Sequence, residues 1–237
     1  MTIEHTLTNL VILDFDGTIF DTREAIQHAA ALTFTTLLPG YEIPYTKARQ
    51  LMATGAGLPE TFRALQPDPS IFDEEKWVAT YRSLYAMHEE KFTNPFPGLR
   101  ELLAGLHSRG IPIAIVSNKA VPPIKTALER TGLAEFVNET LIIGDGTPGS
   151  KRKPDAASFT EALVPRLKAV YGEGFEVDPG RVLMVGDTIT DLVYARNIGA
   201  RGCWCRFGQG DKEECESFRP DYAVDLLAEV LEIAVKE

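Results

Sequence analysis

Cysteine is scarce: Cys203, Cys205 and Cys215 are the three in 237 residues. They cannot all pair and show no C-x-x-C spacing, so a reducing compartment, the cytoplasm, is the default. Long apolar runs are missing as well. Nothing approaches the ~20 residues that cross a bilayer, which removes a membrane partner, and Met1-Thr2-Ile3-Glu4-His5 has neither the basic start nor the apolar stretch of a signal peptide. Basic charge is in deficit, 24 Lys and Arg against 34 Asp and Glu for a net charge of −10. With no basic stripe to offset it, nucleic acid is excluded as a partner. An anionic substrate stays compatible, because a few local cations and a metal suffice to bind phosphate. Histidine is sparse too: His5, His28, His88 and His107 have no metal-ligand spacing and read as structural.

What is present is ordinary for a globular chain, with 44% hydrophobic and 24% charged residues. The length exceeds a usual domain of ~100–150 residues without requiring two, so one domain with a sizeable insertion is expected. One stretch organises it, Asn9-Leu10-Val11-Ile12-Leu13-Asp14-Phe15-Asp16-Gly17-Thr18. Four apolar residues, too few for a helix, read as a buried parallel strand that ends in two carboxylates. In an extended segment Asp14 and Asp16 leave the same side of the backbone. Such a pair repels unless a cation sits nearby, and a hard divalent ion such as Mg²⁺ takes oxygen ligands of this kind. Gly17 allows a sharp turn there.

Asp21-Thr22-Arg23-Glu24 has the spacing of a capping box and predicts a helix that Pro39-Gly40 closes. Helical segments follow from Pro44 to Leu51 and from Glu60 to Leu65, separated by the turn Thr54-Gly55-Ala56-Gly57-Leu58-Pro59. Between Ile71 and Lys91, Trp77, Tyr81, Tyr85 and His88 recur at helical spacing. Residues from about 21 to 93 carry no convincing strand, and Asn94-Pro95-Phe96-Pro97-Gly98 marks the return to the main domain. After it, helix and strand alternate. Strands are predicted at 111–116, 141–144, 181–186 and 202–206, with Cys203 and Cys205 packed in the core. This order gives a parallel sheet with right-handed crossovers, and there is no internal repeat.

Three of these strands end in residues of distinct chemistry. Asp14 and Asp16 close the first, Ser117 and Asn118 the second, and Asp187-Thr188-Ile189-Thr190-Asp191 follows the strand at 181–186. A cationic loop, Ser150-Lys151-Arg152-Lys153-Pro154-Asp155, precedes that strand. Acids for a metal, donors for oxygens and a lysine for charge describe a phosphoryl site.

In this order, Asp14-Phe15-Asp16-Gly17-Thr18, Ser117-Asn118, Lys153-Pro154 and Gly186-Asp187-Thr188-Ile189-Thr190-Asp191 resemble the four motifs of the haloacid dehalogenase superfamily, across nearly the whole chain. The resemblance implies a Rossmann-like parallel sheet with helices on both faces, over residues 1–20 and 95–237. A helical cap of the type found in phosphoglycolate-phosphatase-like members would span 21–94. It further implies that Asp14 is the nucleophile and Asp16 the general acid and base, since the dehalogenases of the family lack this second acid. Mg²⁺ would be held by Asp14, the Asp16 carbonyl and Asp187, with Asp191 behind them. Ser117, Asn118 and Lys153 would bind phosphate. The implied activity is hydrolysis of a small phosphorylated metabolite, by a monomer or homodimer. A phosphomutase of the β-phosphoglucomutase type and an inactive binding protein share the same core and stand as alternatives. On the cap, Thr54, Gly55 and Arg63 are the substrate-facing candidates, with Arg23, Lys47 and Arg49 as competitors. Lys151 and Arg152 read as solvated loop charges, and Trp77 and the tyrosines of the long cap helix as packing.

Overall fold

Leu10–Leu13 form β1, and all four residues are buried. Alternation splits them between two layers: Val11 and Leu13 join one hydrophobic cluster, Leu10 and Ile12 another. Burial on both faces is why the run is apolar without a break.

The computed structural model describes residues 8–53 and 57–236. After β1 come β2 (Phe20–Asp21), α1 (Arg23–Leu37), α2 (Tyr45–Ala53), α3 (Leu58–Leu65), α4 (Glu74–Phe92) and β3 (Asn94–Pro95). The remainder alternates: α5 (Leu99–Ser108), β4 (Ile113–Ala120), α6 (Val121–Arg130), β5 (Ile142–Asp145), α7 (Val164–Tyr171), β6 (Val182–Gly186), α8 (Ile189–Asn197), β7 (Arg201–Cys205), α9 (Lys212–Ser217), β8 (Tyr222–Val224) and α10 (Leu227–Val235). The main sheet has the order β5-β4-β1-β6-β7-β8, parallel throughout. Leu13 lies level with Ile115 on β4 and with Val185 on β6, so β1 and β6 finish together and the residues that follow Leu13 emerge beside the last part of β4. β1 is the point from which the chain builds the sheet in both directions, where α/β folds place their ligands.

Helices α1 to α4 surround a separate cluster that includes Ala29, Phe34, Phe62, Trp77 and Tyr81. The Phe34 ring meets the Trp77 ring edge-on at 4.8 Å. On α4 the buried positions are Trp77, Tyr81, Tyr85 and Glu89, four residues apart, so the inward face ends on Glu89 where His88 was expected. His88 instead meets the His28 ring at 5.1 Å.

Several expectations need correction. Phe20–Asp21 pairs antiparallel with Asn94–Pro95, so a two-residue ribbon joins the helical unit to the sheet; elements this short leave no period to read. The capping box at Asp21–Glu24 does not form: Thr22 is the cap residue with no side-chain bond to the helix, and Asp21 Oδ1 accepts from Arg23 N–H at 3.2 Å. β4 continues through Ser117, Asn118 and Lys119 to Ala120, which pairs with Asp145 of β5 beyond a shift of register after Val116. β8 was not anticipated, being three residues at the edge. The helix after the cationic loop opens with a π-helical stretch, Ser158–Leu163. Cys203 and Cys205 are buried on β7 as expected, and burial pushes the Cys203 thiol up to about 12. Among the described residues no helix is long and apolar enough to cross a membrane.

Truncating Phe34 removes the centre of the helical unit's own cluster. Phe34→Ala should lose about 3–5 kcal/mol of stability in chemical denaturation, with amide exchange rising in α1 and α4 before β1.

Candidate active site

The adjacent carboxyl-terminal portions of β1, β4 and β6 bring the separate motifs together. Asp14 continues the β1 ladder, its N–H donating to the Val185 carbonyl at 2.9 Å, and the backbone then doubles back, with Phe20 N–H reaching Phe15 O. Gly17 makes that turn at a φ of +80°, where a Cβ would stand 2.3 Å from Asp187 Oδ2. The glycine is therefore required twice, for its conformation and for the approach of a carboxylate.

Asp187 is fully buried and held from several sides. Thr18 Oγ1 donates to its Oδ1 at 3.0 Å and Gln209 N–H to its Oδ2 at 2.6 Å, while Trp204 Nε1 donates to its carbonyl at 3.2 Å. Gly208 and Gly210 let the loop after β7 press on it, since a Cβ at either would lie 2.2 Å from an Asp187 atom. Asp191 closes a capping box with Thr188, its Oδ2 accepting the Thr188 N–H and Oγ1–H. Its Oδ1 accepts from Lys153 Nζ at 2.5 Å, and the same ammonium reaches Asp14 Oδ1 at 2.6 Å. The Asn118 side chain fixes the Lys153 loop, accepting from Lys153 N–H at 2.7 Å and donating to its carbonyl at 3.1 Å.

Oxygens of Asp14, Asp187 and Asp191 lie within 4.8 Å of one another, all buried. Burial pushes the Asp14 carboxyl up to about 6; Lys153 opposes the rise and Asp191 adds to it. Burial and then the charges of Asp191 and Asp14 hold Asp187 well above the usual carboxylate range. Burial works against the Lys153 charge too, but Asp14 and Asp191 outweigh it and the net shift is upward. Three clustered carboxylates, only two of them bonded to the one ammonium, leave a surplus of negative charge in a low dielectric. A hard divalent cation with oxygen ligands fits that deficit, and Asp14 and Asp187 are the expected pair.

Asp16 stands apart from this cluster. Its carboxylate pairs with Lys119 Nζ, at 3.1 Å to Oδ1 and 3.4 Å to Oδ2. Sequence reasoning passed over Lys119. The signal was there, since Lys119 is two residues from Ser117 in a strand and so shares its side.

These residues line a cleft of about 1150 Å³ between the sheet and the helical unit. Ile26, Tyr81, Tyr85 and Glu89 line its far wall, so the two tyrosines both pack and face the cleft. Arg82 of α4 spans it, pairing with Asp145 at 3.0 Å. Arg63 does not line the cleft: it pairs with Glu74 at 3.2 Å and covers the Phe72 ring, because its helix turns that side outward. Lys47 donates to the Ala64 carbonyl and Arg23 to the Gly208 carbonyl. Thr54 and Gly55, like the Arg49 side chain, lie outside the described residues. Lys151 is exposed as expected, but Arg152 lines the cleft and donates to the Asn118 carbonyl at 3.1 Å.

A family model described as haloacid dehalogenase-like hydrolase matches residues 11–205. The chain belongs to this family. Relatives of the chain among curated proteins include the pyrophosphatase PpaX of Halalkalibacterium halodurans, 28% identical with 95% of this chain and 96% of that protein covered. The phosphoglycolate phosphatase of Thiobacillus denitrificans is 29% identical, with 95% of each covered. Among solved structures, a putative phosphoglycolate phosphatase from Lactobacillus delbrueckii superposes with a TM-score of 0.78 at 21% identity, covering 97% of this chain and 99% of that one. CbbY from Rhodobacter sphaeroides, in complex with phosphate, has a TM-score of 0.76 at 23% identity, with coverage of 94% and 96%. These structures share the haloacid dehalogenase-like fold seen here, and the enzyme class that goes with the family and its relatives is phosphatase.

Because Asp14 is raised in the fold, the native state holds a proton that the unfolded chain gives up at 3.8. Stability of the metal-free protein should therefore fall as pH rises from 3.8 through about 6. Mg²⁺ should relieve this, raising Tm more at about pH 7.5 than at about pH 5 in thermal melts.

Proposed function

We propose that this hydrolase is a Mg²⁺-dependent phosphatase that cleaves a small phosphomonoester through an aspartyl-phosphate on Asp14. The observation that carries the reading is the division of labour between two carboxylates two residues apart. Asp14 lies among buried acids and is bonded to Lys153, whereas Asp16 is held away from them by Lys119. One environment suits a nucleophile beside a metal and the other a group that moves protons.

Among the described residues no hydrogen bond engages Asp14 Oδ2, which leaves it to attack phosphorus. As the new P–O bond forms, the ester P–O bond breaks and Asp16 gives its proton to the departing oxygen. Asp16 then takes a proton from water, whose oxygen attacks phosphorus and breaks the bond to Asp14. Phosphate and the Asp14 carboxylate result. The Ser117 hydroxyl and the Asn118 N–H donate to phosphoryl oxygens, and Lys153 offsets charge that develops on them. Asp14 and Asp187, with the Asp16 carbonyl, would hold the cation, and Asp191 would support them through Lys153 and Thr188. When bound, Mg²⁺ supplies positive charge that lowers the repulsion between Asp14 and an anionic phosphate.

In this reading residues 21–94 are the cap, and the leaving group lies in the cleft beneath it. The relatives put phosphoglycolate and pyrophosphate first on a substrate panel. Three free, buried thiols support a cytoplasmic setting.

Asp14→Asn should reduce Mg²⁺-dependent phosphate release to background, and wild-type rates would end the mechanism. Asp16→Ala should lose roughly 10²–10⁴-fold with an alkyl phosphate and much less with 4-nitrophenyl phosphate, read as initial rates. An isomerised sugar phosphate without free phosphate would instead identify a mutase.

A further inference from the structure

Lys119 touches no phosphoryl oxygen in the mechanism above and enters it only as the partner of Asp16, yet it is the best-enclosed cation of the cleft after Lys153. Its side chain is 10% exposed. One side of the ammonium faces both oxygens of Asp16. The other is covered by the Tyr85 ring of α4, whose centroid is 4.1 Å away, with the Phe15 ring at 5.8 Å. One helical turn beyond Tyr85, Glu89 is buried with Oε2 lacking a hydrogen-bond partner. The Lys119 ammonium thus lies between a core carboxylate and an aromatic and acidic face of the cap.

Among the described residues Lys119 is the sole side chain bonded to the Asp16 carboxylate. The turn that carries Asp16 runs through Phe20–Asp21 into α1, and α4 returns through Asn94–Pro95, paired to that same segment. Any movement of the cap about this ribbon changes the distance from Tyr85 to Lys119. With the ring in place, water is kept from one side of the ammonium and the ion pair is strengthened by the lower dielectric. With the ring withdrawn, the ammonium is hydrated and Asp16 loses its fixed partner.

We infer that Lys119 is a positioning residue through which the cap helix α4 sets the Asp16 carboxylate for proton transfer. The inference rests on the phosphatase reading and adds to it the route by which cap closure reaches the acid. The competing role, a second cation for the transferred phosphate, acts on every ester alike. Positioning of the acid matters most where the leaving oxygen needs a proton.

The test compares phenyl phosphate, a poor leaving group, with 4-nitrophenyl phosphate, a good one, in the presence of Mg²⁺. Lys119→Met should lower kcat on phenyl phosphate at least roughly tenfold more than on 4-nitrophenyl phosphate. Tyr85→Leu, which touches no reacting atom, should shift the ratio in the same direction by a smaller factor. Tyr85→Phe keeps the ring and should keep the wild-type ratio, and Lys119→Arg should recover part of it. Adding Lys119→Met to Asp16→Ala should cost nothing further on either ester. Equal loss on both esters, or additive losses in the double variant, overturns the inference and leaves the phosphatase reading standing. Should Lys119→Met fail to fold, an unchanged ratio in Tyr85→Leu overturns it just as well. Wild-type protein that releases phosphate from neither ester removes the phosphatase reading, and the inference with it.

Discussion

Asp14, Asp187 and Asp191 are buried within reach of one another at the end of a parallel sheet, and Lys153 is bonded to two of them. Like charges in a low dielectric repel strongly, so much of the surrounding structure serves to keep this group in place. Gly17, Gly208 and Gly210 bring backbone against Asp187 where a side chain would not fit. Thr18 and Gln209 N–H bind its oxygens, Thr188 binds Asp191, and Asn118 ties down the loop that delivers Lys153. The remaining deficit of positive charge is what a divalent cation would fill.

The second constraint is separation. Asp16 is two residues from Asp14, and if both carboxylates joined the buried cluster neither would be free to exchange protons with a departing oxygen. The turn from Phe15 to Phe20 and the Lys119 ammonium hold Asp16 toward the cleft instead. That turn runs directly into Phe20–Asp21, the first strand of the ribbon that carries the helical unit, so the ribbon begins four residues after Asp16. In the proposed reading, access and proton transfer therefore share one piece of backbone.

The helical unit of α1 to α4 has a packing cluster of its own and is joined by short strands. Its Phe34, Phe62, Trp77 and Tyr81 cluster shares no buried residue with the two clusters that sandwich the sheet. Arg82 bonded to Asp145 and Tyr85 over Lys119 are where it meets the core across the cleft. Both contacts are polar or cationic, unlike the apolar packing inside either unit.

Local chemistry made much of this legible. Apolar runs of four or five residues ending in acids, or in Ser117-Asn118, marked the strand ends, since a strand buried on both faces has to be apolar until it leaves the sheet. Trp77, Tyr81 and Tyr85 marked the inner face of α4 by their spacing. What the chain alone could not display was pairing across distance. Whether Arg63 faces the cleft or Glu74, whether Arg152 is solvated or bound to Asn118, and that Lys119 belongs to Asp16 depend on which surfaces meet. The ribbon of β2 and β3 and the edge strand β8 were invisible for a related reason: two or three residues hold too little pattern, and only their partners make them strands. By itself the sequence determined the residue types and the order of the elements along the chain, because burial and charge act on each segment locally. Tertiary structure alone decided the partners, because register brings together side chains more than a hundred residues apart, as with Lys119 and Asp16 or Thr18 and Asp187.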